Sequence, residues 1–199
     1  NESFAGVMAP TPELLRCPYL MQVMASFGVT LGRTRLMRLA GQAEVTPHVD
    51  QGYYWAERVR VHVPIVTQPT VRFECGADVI HMAAGECWIF DTWRTHNVVN
   101  DASRSRIHLV ADTVGGEDFW ALVARGRGHA VVGTDWQPTM VPPSGVPAEL
   151  VCEHYNIPQA MTPWEANYHM RRRLDAAEPR DPNLAAAHAQ VERFFQAWR

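Results

Sequence analysis

Arg58-Val59-Arg60-Val61-His62-Val63-Pro64-Ile65 alternates between two kinds of side chain, and its reading decides the fold. In extended backbone, successive side chains leave opposite faces. One face therefore carries Arg58, Arg60, His62 and Pro64, and the other carries Val59, Val61, Val63 and Ile65. A second stretch repeats the pattern: Arg104, Arg106, His108 and Val110 stand against Ser105, Ile107, Leu109 and Ala111. Two architectures fit. One is a surface sheet with its polar face in water. The other is a barrel with a polar interior, whose apolar outer face is covered by helices. Helical stretches at both ends of the chain can supply that cover and favour the second.

Working outward, turn residues separate short strand-like runs at 34–40, 58–67, 70–75, 78–83, 87–91 and 104–112. Gly76, Gly85 and Asn100-Asp101 are the punctuation. This is the pattern of a mainly β sandwich or barrel. Thr11-Pro12-Glu13 opens a helical segment that runs to about Phe27 and is interrupted at Pro18. A helix is expected over 117–125. An irregular, proline-rich wrap follows from His129 to about Met161, and two helices are expected over 163–177 and 183–199. The length of 199 residues suits one domain. It divides into an N-terminal helical segment (1–33), a β core (34–113) and a C-terminal region of helix, wrap and helices (114–199).

The composition, with 47% hydrophobic and 20% charged residues, is that of a globular protein. A formal net charge of −3 points away from nucleic acid or anionic lipid as a partner. All 18 basic residues are arginine. Arginine grips carboxylates in a two-pronged geometry that lysine cannot copy. Cys17, Cys75, Cys87 and Cys152 show no CxxC spacing, which suits reduced, mostly buried thiols and a cytoplasmic protein. No apolar run is long enough to span a membrane. Asn1-Glu2-Ser3 shows neither an initiator Met nor a signal-peptide core, so a removed leader or a missing extension stays open.

His48-Val49-Asp50, followed by His96, supplies two imidazoles and a carboxylate. That is the ligand set of a mononuclear non-haem Fe(II) centre with open positions. His48 and Asp50 leave the same face of an extended chain and can converge on one ion. Arg106 can hold a dicarboxylate co-substrate by a charge-assisted, two-pronged pair. A simple hairpin through Asn100-Asp101-Ala102-Ser103 would pair position 96 with 107 and turn Arg106 to the wrong face. The conflict vanishes if the two strands lie in opposite sheets, or if a bulge intervenes.

The segments Pro47-His48-Val49-Asp50, Arg58 to Pro64, Gly85-Glu86-Cys87-Trp88-Ile89-Phe90-Asp91, His96-Asn97-Val98-Val99-Asn100-Asp101 and Arg104 to Val110 resemble the aspartyl/asparaginyl β-hydroxylase family. This family of 2-oxoglutarate-dependent oxygenases includes bacterial proline hydroxylases. The resemblance implies a double-stranded β-helix, a cupin-like jelly roll flanked by N- and C-terminal helices. It implies Fe(II) held by His48, Asp50 and His96, 2-oxoglutarate bound through Arg106 and His62, and O₂ as oxidant. It also implies that Arg60 and His62 contact the other end of the co-substrate or the substrate. Met37 stands where some members have a small polar residue, and no role is carried over to it. The implied reaction hydroxylates a C–H bond of an amino acid, free or in an Asp/Asn-type peptide, with release of succinate and CO₂.

Candidate substrate-binding residues are Arg58, Arg60, Tyr54 and Trp55. The aromatics either line an entrance or pack at a sheet edge, and the arginines either bind a substrate carboxylate or lie on the surface. No catalytic residue is assigned beyond the metal ligands. Two other functions fit a jelly roll: a cupin-type metal-dependent dioxygenase or isomerase without 2-oxoglutarate, and a non-catalytic binding module. Arg106 argues against the first, and metal binding would exclude the second.

Overall fold

The computed structural model describes residues 6–50, 53–131, 135–154, 163–177 and 181–197. The chain forms two compact units, Asn1–Asn156 and Ile157–Arg199. The sequence reading, which took 1–199 as one domain, marks no such division.

The first unit is built on eight antiparallel strands: β1 (Leu31–Leu39), β2 (Ala43–His48), β3 (Val59–Val66), β4 (Arg72–Cys75), β5 (Asp78–Ile80), β6 (Trp88–Ile89), β7 (His96–Asn100) and β8 (Arg106–Thr113). They form two four-stranded sheets, ordered β1-β8-β3-β6 and β2-β7-β4-β5. Consecutive strands alternate between sheets at several crossings, which is the winding of a double-stranded β-helix. The hairpin pairing of 96 with 107 does not form. β7 and β8 lie in different sheets, and His96 pairs with His48 on one side and Cys75 on the other.

Six strands fall where alternation predicts them. β2 and β7 do not appear among the predicted strands, and they carry His48 and His96. A four-residue helical turn, α3 (Tyr53–Ala56), was also not foreseen. The N-terminal segment breaks at Pro18 as expected, into α1 (Pro12–Leu15) and α2 (Pro18–Ala25). Thr11 caps the first of these by accepting a bond from the Leu14 amide. α4 spans Glu117–Ala124.

The polar face of the first sheet is the inside. Arg60, His62 and Pro64 on β3, with Arg106, His108 and Asp112 on β8, are all buried. The aliphatic outer face, with Val61, Leu109 and Ala111, packs against Met24 and Phe27 from the α2 segment, Leu31 and Phe119 of α4. This is the polar-interior architecture. The observed cover over this sheet comes from the α2 segment and α4. A second apolar cluster, of Val71, Phe73, Cys75, Met82 and Val98, gathers around the other sheet with Leu39, Trp88 and Phe90 against it.

Residues 135–154 are irregular, as expected, and run beside α2. Tyr19 donates to the Val141 carbonyl, and the Gln22 amide donates to those of Ser144 and Val146. The segment closes on β1 through the amide of Glu153, which bonds to the Leu31 carbonyl. The second unit comprises α5 (Pro163–Asp175) and α6 (Leu184–Gln196), linked by an Arg171–Glu192 ion pair. Among the described residues the four cysteines are free. Cys75 is buried and Cys152 half-buried, whereas Cys17 and Cys87 are exposed, so burial of most thiols is not observed. No helix of the described residues is long and apolar enough to cross a membrane.

Asn100 ties the crossing between sheets. Fully buried at the end of β7, its amide nitrogen donates to the carbonyls of Ala40 and Arg104 at 2.8 and 2.9 Å, and its side-chain oxygen accepts from the Ala102 amide. Asn100→Ala removes these three bonds from a fully buried position. It should cost about 2–3 kcal/mol in urea unfolding; a loss under about 0.5 kcal/mol would place it among neutral surface changes and refute the tie.

Candidate metal centre

His48 ends β2 and His96 begins β7, directly paired across the strands after a register shift between Val45 and His48. Their rings lie 4.3 Å apart, centroid to centroid. Asp50 follows two residues after His48, and its own amide donates to the Thr92 carbonyl at 3.1 Å. That bond holds the carboxylate beside the start of β7. The ligating atoms of His48, Asp50 and His96 all lie within 4.8 Å of one another. Asp50 and His96 are buried, while the His48 side chain is 40% exposed, so the cluster opens to solvent on one side.

Each imidazole is fixed in one tautomer. His48 Nδ1 lies 2.8 Å from the Thr46 carbonyl, and His96 Nδ1 lies 2.9 Å from that of Arg94. A carbonyl only accepts, so each Nδ1 carries the proton and each Nε2 presents its lone pair. This is how ligand histidines are oriented in metal sites. Burial lowers the His96 pKa, which keeps that ring neutral. The donor set therefore fits one divalent ion with two imidazole nitrogens and one carboxylate oxygen.

Arg60 fixes the carboxylate. Its NH1 donates to Asp50 Oδ2 at 3.0 Å, and its Nε donates to Asp112 Oδ1 at 2.8 Å. Its guanidinium also stacks 4.1 Å from the Trp55 ring centre. Asp50 Oδ1 is left facing His48, 3.8 Å from Nε2. Arg58 is engaged just as fully. It forms a two-pronged pair with Glu153 at 3.0 and 3.1 Å, donates to the Tyr54 carbonyl and lies over the Tyr54 ring. A substrate carboxylate would reach either arginine only by displacing a carboxylate already there.

Tyr54 and Trp55 are buried. The Tyr54 hydroxyl accepts from the Arg33 amide at 2.9 Å and donates towards Asp112 at 3.4 Å. Burial beside Asp112 raises its pKa, so it stays protonated. Asp112 and Glu153 were not singled out in the sequence. Asp112 shares the face of Arg106 and His108 by simple alternation, so that signal was available. Glu153 lies in the irregular segment, and no local pattern marks it.

Deeper between the sheets lie His62, Arg106 and His108. Phe90 connects them to the metal cluster, its ring 5.2 Å from that of His62 and 5.0 Å from that of His96. Arg106 is 5% exposed, and burial alone pulls its pKa down to about 10, still a cation at neutral pH. Among the described residues no carboxylate pairs with it. Its NH2 donates to His108 Nδ1 at 2.7 Å, and its Nε has no partner. Burial, then the charge of Arg106, lowers His108 to about 3, and burial lowers His62 well below the usual range. A buried cation without a counter-charge is costly in a finished interior.

The model of the aspartyl/asparaginyl β-hydroxylase family matches residues 6–115, more than half of the chain. The chain belongs to the aspartyl/asparaginyl β-hydroxylase family. It is 30% identical over 110 residues to L-proline cis-3-hydroxylase 1 of a Streptomyces species. That match covers 52% of this chain and 37% of the Streptomyces protein. Solved structures with partial similarity include a cupin 2 conserved barrel domain protein from Salinispora arenicola, with 10% identity, TM-score 0.35, and coverage of 63% of this chain and 91% of that one. Another is described as a predicted oxalate decarboxylase from Thermotoga maritima, with 13% identity, TM-score 0.35, and coverage of 42% and 67%. The residues of the candidate site described above fall inside the matched region, except Glu153.

The neutral burial of His62 and His108 has a sign that can be tested. In the unfolded chain both titrate near 6.5, whereas in the fold both are depressed. The stability this gives is complete above about pH 6.5 and is lost as the pH falls towards the folded values, about 3 for His108. Thermal unfolding of the metal-free protein should show Tm falling as the pH drops from about 7 to 5, with a shallower fall in His62→Phe. Parallel profiles would show that His62 is not a source of the dependence.

Proposed function

We propose that this protein is an Fe(II)- and 2-oxoglutarate-dependent oxygenase that hydroxylates a C–H bond of an amino acid, free or within a peptide. The observation that carries the reading is the buried Arg106 guanidinium. It has no carboxylate partner among the described residues, and it lies in the same interior as an imidazole–imidazole–carboxylate cluster with both Nε2 atoms bare. A 2-oxo dicarboxylate satisfies both ends of that interior at once. A metalloenzyme using no such co-substrate leaves the Arg106 charge unexplained.

His48, Asp50 and His96 would hold the iron. Iron with bound 2-oxoglutarate supplies O₂ activation and oxidative hydroxylation, with release of succinate and CO₂. This chain's residues do the rest. The Thr46 and Arg94 carbonyls orient the two imidazoles so that each Nε2 is left for the ion, and Arg60 holds the Asp50 carboxylate in place through Oδ2. Arg106 would draw the distal carboxylate inward, and His62, whose ring contacts those of Phe90 and His108, would meet the bound co-substrate. Phe73 and Phe90 wall the His96 ring and keep bulk water from the inner side of the cluster. An amino acid substrate is supported by the family and by the name of the Streptomyces relative.

Iron-loaded wild type, mixed anaerobically with 2-oxoglutarate, should develop the weak visible metal-to-ligand charge-transfer band, and should form succinate when O₂ is admitted. His96→Ala should bind no iron, and Arg106→Ala should keep iron but bind 2-oxoglutarate at least about ten-fold more weakly. Iron uptake with neither band nor succinate in the wild type would overturn the proposal. Arg60→Met should reduce metal affinity by about 10–100-fold without removing a ligand, as read by competition with a chromophoric chelator. Free amino acids and Asp/Asn peptides, screened for the mass gain of one oxygen atom, identify the substrate.

A further inference from the structure

The tautomer of His108 follows from its partner. Arg106 NH2 can only donate, so His108 Nδ1, 2.7 Å away, accepts. The ring is neutral, because burial and the neighbouring Arg106 and His81 lower its pKa to about 3. Its single ring proton is therefore on Nε2. That N–H is buried in a side chain 2% exposed and has no partner. Across the strands, His108 stands opposite Met37 on β1 and Pro64 on β3, neither of which carries a strong acceptor in its side chain. The ring of His62, its neighbour at 5.9 Å centroid to centroid, also has two unpartnered nitrogens. With Arg106 Nε, this interior holds three buried N–H donors to which no acceptor is bonded among the described residues. Orphaned buried donors are rare in a finished core.

We propose that His108 is part of the anion subsite: Nδ1 aligns the Arg106 fork, and Nε2–H donates to the inner end of the bound dicarboxylate. The proposal rests on the 2-oxoglutarate reading and adds a residue to it. The ring takes no part in oxidation. It makes the pocket select a ligand with a second carboxylate over a 2-oxo acid without one, since a monocarboxylate leaves the donors of Arg106 and His108 unpaired in the interior.

The test uses zinc-loaded protein, in which nothing turns over, and calorimetric titration with 2-oxoglutarate and with 2-oxobutyrate, which lacks the distal carboxylate. His108→Phe keeps a ring but offers neither nitrogen. It should weaken 2-oxoglutarate roughly ten-fold or more while leaving 2-oxobutyrate within about two-fold. His108→Asn retains an acceptor for Arg106 but carries its N–H donors on a shorter side chain, short of the Nε2 position, and should fall with the Phe variant. Wild-type affinity for 2-oxoglutarate in either variant would overturn the donor role, and equal loss of both acids in His108→Phe would reduce the ring to a packing role. Wild type that binds 2-oxoglutarate and loses it on Arg106→Ala, but not on His108→Phe, would remove this inference alone. No binding of 2-oxoglutarate by the zinc-loaded wild type would remove the functional reading with it.

Discussion

Arg60 is the charge on which the interior depends. Its fork spans from Asp112 on β8 to Asp50 at the metal cluster, and its flat face rests on Trp55 of α3. One side chain thus links the first sheet, the helical turn after His48-Val49-Asp50, and the carboxylate of the candidate metal site. The ions lie in a region that water barely reaches, where a pair holds only if its remaining donors and acceptors are met. Here they are met by two carboxylates and a ring. The Arg58–Glu153 pair does the same for the irregular segment, closing it over β1 and the Tyr54 ring.

This gives the barrel two unlike ends. Around Phe73, Met82 and Val98 the space between the sheets is apolar and closed by packing. Around Arg106, His62 and His108 it is polar and unsatisfied. Between these regions and solvent sits the His48, Asp50 and His96 cluster, exposed only at His48. The outer face of the first sheet, which would be the wet face of an ordinary sheet, is covered by the α2 segment and Phe119 of α4. The hydrophobic effect thus holds the fold from outside that sheet. The inside is free to carry charge.

Much of this was legible. The Arg60/His62 and Arg106/His108 alternation showed a polar face backed by aliphatics, and turn residues placed six of eight strands. β2 and β7 were hidden for physical reasons. Pro47 removes a ladder donor from β2, and β7 is bounded by His96 and Asn100, with Asn97 inside, which are poor strand formers. Both hold because each finds partners along the second sheet. The position of Arg106 was a contradiction in a hairpin and became sense once β7 and β8 fell in opposite sheets. The engagement of Arg58 was beyond the sequence, since its partner Glu153 is 95 residues away in a stretch without periodicity. The rings of Tyr54 and Trp55, for which the sequence left lining and packing open, lie against the two arginines.

In the proposed site His48 Nε2, His96 Nε2 and one oxygen of Asp50 converge on a single ion, with Arg60 holding the other oxygen. Anomalous diffraction at the zinc edge, from crystals grown with Zn(II), tests it most directly. The account predicts one strong peak within bonding distance of those three atoms, with the Arg60–Asp50 bond retained. A peak elsewhere, coordination through Nδ1 of either histidine, or no peak at this cluster at saturating zinc would contradict it.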